Sequence, residues 1–292
     1  DQAYWQIISL VNKKKLAENF LQLVQKLDSD VDKMIQEGVA TKADGLSVKV
    51  KVNEAEMMLT QVENGLSLSK MLLCQLCGLP LDTPLRLADE DMQDLPLPNT
   101  YTEANVSTAL SNREELKSLE LASEIYRQKV NVIRADFLPS VALTANYLVT
   151  NPSLVNGFEN KFRGMWAAGI IVKIPVFHWG EGIYKVKAAK AEANIARYKL
   201  EDTKEKVELQ VTQNSYKVNE STKKLAMAEK NMEKAEENLR YANLGFKEGV
   251  IPTSNVLEAQ TAWFSAQAGK IDAQIDVKMN ELYLNKSMGI LK

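Results

Sequence analysis

Histidine occurs once and cysteine twice in 292 residues, and each scarcity removes a class of chemistry. His178 alone allows a Ser-His-Asp or Cys-His set only around that position, where no nucleophile motif stands. It is expected to fill a strand end or loop. Cys74 and Cys77, in "LLCQLCGLP", form one C-x-x-C near the end of an apolar helical pattern. Without a second pair for zinc or a βαβ context for redox work, both are expected to be packing residues. Neither G-x-x-x-x-G-K-[ST] nor G-x-G-x-x-G occurs, so no phosphate cradle is predicted. No catalytic residue, cofactor or metal is expected. No apolar run approaches the roughly 20 residues of a membrane-spanning helix. The net charge of -2 gives no global attraction to phosphate backbones. The one basic run, Lys13, Lys14 and Lys15, lacks interleaved aromatics, reads as a solvated helix face and implies no nucleic-acid partner.

Glycine and proline are absent from 1–37 and again from 183–244. The second stretch would reach roughly 90 Å if wholly helical. Its apolar positions, among them Ile183, Val186, Ala189, Ile195, Tyr198, Val207, Val211 and Tyr216, recur mostly at three- and four-residue steps between charges. That is the pattern of a long amphipathic or coiled-coil helix, which needs partner helices to bury its stripe.

What interrupts these helices repeats. "EGVATKADGL" and "EGVIPTSNVL" place Gly38 and Gly249 at a separation of 211 positions (249 − 38), and Gly78 and Gly289 share the same offset (289 − 78). Glycine ends a helix because it accepts the left-handed conformation without steric cost. Thr41 and Asp44 in the first stretch, and Thr253, Ser254 and Asn255 in the second, offer side-chain oxygens to the N–H groups of the next helix. Each stretch therefore reads as the tip of a long antiparallel helical hairpin.

Between the hairpins the texture changes. "LPLDTPLRLADEDMQDLPLPN" is proline-rich and acidic, a surface connector that no helix could cross. A short helix near 103–110 and one over about 113–136 follow. In "FLPSVALTANYLVTN" the period then shifts towards two, with Val141, Leu143, Ala145, Tyr147 and Val149 on one face. The loop "PSLVNGFENKF" leads to a second strand in "RGMWAAGIIVKIPVFHWGEG". One hairpin is only marginally stable alone, so these strands are expected to join others from copies of the chain. The expected divisions are 1–78 (hairpin, tip 38–45), 79–112 (connector), 113–136 (helix), 137–180 (strand pair) and 181–292 (second hairpin, tip 249–255).

"RADFLPSVALTANY", "WAAGIIVKIPVFHWGEGIYKVKAAKAE" and "FKEGVIPTSNVLEAQTAWFSAQ", in that order, resemble the strand and tip motifs of the TolC-type outer-membrane efflux protein family. The resemblance implies a mainly α fold of long helical hairpins forming a coiled-coil tunnel, with a β-hairpin contributing to a trimeric transmembrane β-barrel. It implies a homotrimer in the outer membrane of a Gram-negative bacterium, with a periplasmic helical extension. Such a trimer would be the passive exit duct of a tripartite efflux or type I secretion system, partnered by a periplasmic adaptor and an inner-membrane pump. Outer-membrane lipid would meet Val141, Leu143, Tyr147 and Val149. Adaptor contact or gating would fall on Gly38, Val39, Thr41, Asp44, Gly249, Val250, Thr253, Asn255 and Glu258, although a turn would select Gly and Thr regardless of any partner. Applying the 211-residue offset to the strands gives positions before Asp1, so the chain is expected to be an N-terminally shortened protomer. The family's second tip commonly carries two acids where Asn255 and Glu258 stand. Its polar lock has an arginine at the position of Ile251 and a tyrosine at that of Phe246, so closure is expected to rest on packing here. A periplasmic adaptor or a non-transporting coiled-coil scaffold is the alternative; the first would carry one hairpin, and the second would not need the strands.

Overall fold

The computed structural model describes residues 1–90, 104–152, 160–176 and 179–291. His178, most of the loop 152–162 and the connector beyond Glu90 lie outside the described residues. The chain divides into a helical unit (1–109 and 209–292) and a strand-bearing unit (110–208).

In the helical unit, α1 (Gln2–Gln36) and α2 (Lys42–Cys77) form the first hairpin. The last part of α5 (Glu181–Lys247) and α6 (Thr253–Ser287) form the second. Phe20, Val24, Leu27 and Val31 are buried on α1 at steps of four, three and four, the spacing that keeps one helical stripe on one side. They pack with Val48 and Ala55 of α2, Ala242 and Phe246 of α5, and Val256 and Ala259 of α6. The Phe20 and Phe264 rings lie 4.7 Å apart. Replacing Phe20 with alanine would cost about 3–5 kcal/mol at such a site. Further along, Leu225 of α5 packs on Ala273 and Val277 of α6.

The basic run is not a solvated face. Lys13 reaches Asp272 of α6 at 2.6 Å, Lys14 reaches Glu63 of α2 at 2.8 Å, and Lys15 donates to the Glu90 carbonyl at 2.8 Å. Three consecutive residues point about 100° apart around a helix, so each lysine meets a different neighbour. The same device straps the start of the connector to the helices, with Lys70 donating to the Leu85 carbonyl at 2.9 Å and the Tyr4 hydroxyl to Asp89 at 2.5 Å. Cys74 is buried, its thiol directed at the Thr83 carbonyl, whereas Cys77 is exposed at the helix end and packs against little.

The helix α3 (Val106–Asn112) runs from the helical unit into the strand-bearing unit, where α4 (Glu114–Ala135) follows and β1 (Ser140–Thr150) pairs antiparallel with β2 (Arg163–Lys173). The register runs from Ser140↔Lys173 to Thr150↔Arg163 without a bulge. Lys129–Glu192 and Lys204–Glu120, at 2.7 and 2.8 Å, tie α4 to the first part of α5. The expected stripe on α5 is only half covered here: Ala189 and Val207 are buried, whereas Ile183, Ile195 and Tyr198 are exposed; farther along, in the helical unit, Val211 is buried and Tyr216 exposed. Within the strand-bearing unit the chain offers α5 a single partner helix, and one helix covers one side.

Candidate functional site

Both tips are built by the same backbone hydrogen bonds. At the first, Gly38 N–H donates to the Ile35 carbonyl and Val39 N–H to that of Met34; at the second, Gly249 N–H donates to Phe246 and Val250 N–H to Gly245. This six-to-one, five-to-two pattern closes a helix through a left-handed residue. Gly38 and Gly249 take φ of +77° and +70°. Leu79 to Cys74 and Ile290 to Asn285 repeat the pattern at the other end of each hairpin. Every pair is related by the same 211-residue offset.

The helices that leave the tips start differently. Thr41 caps α2 with a reciprocal box: Asp44 N–H donates to the Thr41 hydroxyl at 3.2 Å, and Thr41 N–H to the Asp44 carboxylate at 3.0 Å. The Thr41 hydroxyl also donates to that carboxylate at 2.6 Å. These bonds, the hydroxyl's first and the backbone N–H second, hold the Asp44 carboxyl below its ordinary range. At the second tip Pro252 occupies the cap position and has no side-chain oxygen to offer. Thr253, Ser254 and Asn255 do not cap α6 as expected, because the helix already begins at Thr253, so all three lie inside its first turn and none holds the cap position. Thr253 is buried at 5% exposure, whereas Val39, Val250, Asn255 and Glu258 are exposed. Glu258 lines a shallow groove with Lys51 and Glu54 of α2.

Where a polar lock is lacking, isoleucines lie on glycines. A methyl group on Gly245 would come within 2.5 Å of Ile251 Cδ1, and one on Gly45 within 2.8 Å of Ile35 Cδ1. Ile251 also packs against the core that holds Phe246. Beside the tips runs a groove of ≈ 700 Å³ lined by Leu27, Met34, Val39, Phe246 and Gln260. Gln260 is 2% exposed, and its amide oxygen has no hydrogen-bond partner among the described residues. Sequence reasoning had no means of finding Gln260, a polar residue that reads as helix surface.

On the strand pair, Val141, Leu143, Tyr147 and Val149 share one face, and the register sets Val172, Ile170, Trp166 and Gly164 opposite them. The opposite face is mixed, with Ser140, Thr144, Asn146, Thr150, Lys173 and Arg163 among exposed Leu148, Met165 and Ile171. Both faces are exposed. A methyl on Gly164 would overlap the Tyr147 hydroxyl, so the tyrosine ring lies across the glycine. The β2 half of this face was missed because "MWAAGIIVK" is apolar at both parities and hides its alternation.

Three comparisons bear on this architecture. Residues 105–290 match the family model described as outer membrane efflux protein. The alkaline protease secretion protein AprF of Pseudomonas aeruginosa is 27% identical over 249 residues, covering 84% of this chain and 51% of that protein. The probable efflux pump outer membrane protein TtgC of Pseudomonas putida is 23% identical over 281 residues, covering 94% and 56%. The chain thus spans about half the length of these relatives. The crystal structure of the outer membrane protein VceC from Vibrio cholerae superposes with a TM-score of 0.80 at 19% identity, over 99% of this chain and 68% of that one. That likeness shows a shared fold, and the family match over 105–290 establishes that the chain belongs to the outer membrane efflux protein family.

Proposed function

We propose that this chain forms part of a trimeric exit duct in the outer membrane of a Gram-negative bacterium, passing substrates from periplasm to exterior without chemistry of its own. The strand pair carries this reading. It presents one continuous apolar face, has both outer edges unpaired among the described residues, and buries neither face. Backbone edges cannot face lipid unpaired, so strands of this kind must close into a barrel with others. The helical hairpins then extend into the periplasm, and energy comes from an inner-membrane pump joined through a periplasmic adaptor; the names of the relatives, one a protease secretion protein and one an efflux pump outer membrane protein, support export as the task.

The tips are the moving part. Gly38, Val39, Thr41, Asp44, Gly249, Val250, Asn255 and Glu258 serve adaptor contact or gating, with Thr253 acting from below the surface. The Ile35–Gly45 and Ile251–Gly245 contacts stiffen each tip from within, closure rests on packing between the tips, and opening separates them when the adaptor engages. Light scattering of the intact protein in detergent tests the assembly. Three copies are expected, and a monomer that remains monomeric in lipid nanodiscs overturns the duct.

A further inference from the structure

Where α4 turns into β1 and β2 turns into α5, the strand-bearing unit has a cavity of ≈ 590 Å³ that the duct reading leaves unused. Arg134, Lys187 and Lys190 line it with Phe137, Val176 and Ile183, and no carboxylate among the described residues does. Arg134 and Lys190 make no ion pair among the described residues, and Lys187 lies over the Tyr184 ring, 5.8 Å from its centre. The Phe137 ring rests against Gly182, where a methyl group would approach within 2.9 Å, so the aromatic wall is fixed in place.

We propose that this cavity binds the phosphate headgroup of an anionic phospholipid, with the first part of an acyl chain along Phe137, Val176 and Ile183. The inference rests on the outer-membrane reading. If the strands span the bilayer and the helices extend into the periplasm, this end of the strands lies at the periplasmic leaflet, where the membrane carries phospholipid. Phe137 and Val176 flank the strand pair, three residues before β1 begins and three after β2 ends. Val176 and neighbouring Trp179 are 90% and 89% exposed, large side chains of the kind that sit at a membrane–water boundary. Three cations with no facing carboxylate complement a phosphate, and each basic group near an anionic lipid surface favours binding. The bound lipid would hold the helix-to-strand turns at a fixed depth.

The test uses the intact protein in phosphatidylcholine nanodiscs containing a minor fraction of phosphatidylglycerol. Lipid that stays with the protein after gentle extraction is quantified by native mass spectrometry. Phosphatidylglycerol should be enriched about tenfold over its share of the disc. Combining Arg134→Gln, Lys187→Gln and Lys190→Gln should abolish the enrichment. A control combining Lys199→Gln, Lys206→Gln and Lys223→Gln, which removes equal charge elsewhere on α5, should keep it. Absence of enrichment in the wild type, or its persistence in the first variant, overturns the proposal. So does displacement of the lipid by millimolar inorganic phosphate, which would leave a simple anion site. Failure to enter phosphatidylcholine discs at all overturns the outer-membrane reading itself, whereas entry without lipid preference overturns the lipid site alone.

Discussion

Gly38 and Gly249 have no atom within 4 Å of the place a side chain would occupy, so an alanine there meets only the backbone cost of the left-handed conformation. That cost is about 1 kcal/mol, small against the packing of the hairpins. Gly249→Ala and Gly38→Ala should therefore lower thermal stability slightly and leave assembly intact. If the tips dock an adaptor, efflux or adaptor cross-linking should fall in the same variants; normal efflux in both would reduce these glycines to turn residues. Gly245→Ala differs in kind, because its methyl must push Ile251 aside and so should loosen the tip and raise leakage of small solutes. The capping box at Thr41 carries a pH signature. Since the native Asp44 carboxyl titrates below its ordinary range, the box contributes stability above the ordinary range of about pH 4 and loses it as pH falls through the native value. The protection of the Thr41–Gly45 amides against hydrogen exchange, relative to an unstructured chain at the same pH, should fall on that descent in the wild type, and Asp44→Asn should remove the pH dependence. An unchanged profile in the variant would assign the effect to another group.

Among the elements, the strand pair is the least self-sufficient and the most open to test. Leu143 and Thr144 are neighbours on opposite faces of β1, facing Ile170 and Gly169 across the pair. Leu143→Arg should impair membrane assembly by about 2–4 kcal/mol if its face meets lipid at mid-depth, and Thr144→Arg should be milder. Equal sensitivity of folding yield at the two positions would remove the face assignment. The β1 face could be read from the sequence because Ser140, Thr144, Asn146 and Thr150 separate its apolar residues, and the tips could be read because a glycine with positive φ leaves a mark in one letter. What stayed illegible depended on neighbours far along the chain. The three lysines at 13–15 look solvated until Asp272, Glu63 and the Glu90 carbonyl are brought beside them. Thr253 looks like a cap until Pro252 takes the cap position and α6 starts one residue earlier.

At the scale of the assembled molecule, the decisive feature is apolar surface that one chain cannot cover. Within the strand-bearing unit, Leu121, Ile125 and Val132 of α4 and Ile195 and Tyr198 of α5 are all exposed, although they fall on helices whose other sides are packed or ion-paired. Scattered exposed leucines are ordinary, but repeated apolar positions on two paired helices are where the trimer proposed above would pack a second copy. In a trimer, the adjacent copies would supply the missing partner helices. A carboxylate introduced there would then be buried without a partner, at a cost of several kcal/mol per interface, while the single chain would leave it in water at little cost. Ile125→Glu and Ile195→Glu should accordingly keep the helical content seen by circular dichroism yet shift the intact protein from three copies towards one in light scattering at micromolar concentration. Lys199→Glu, a charge change at an already polar exposed position of the same helix, should leave the trimer whole. If both isoleucine variants remain trimeric with unchanged thermal stability, these faces are turned to solvent in the assembly, and the contacts between copies must be sought on the strands and tips.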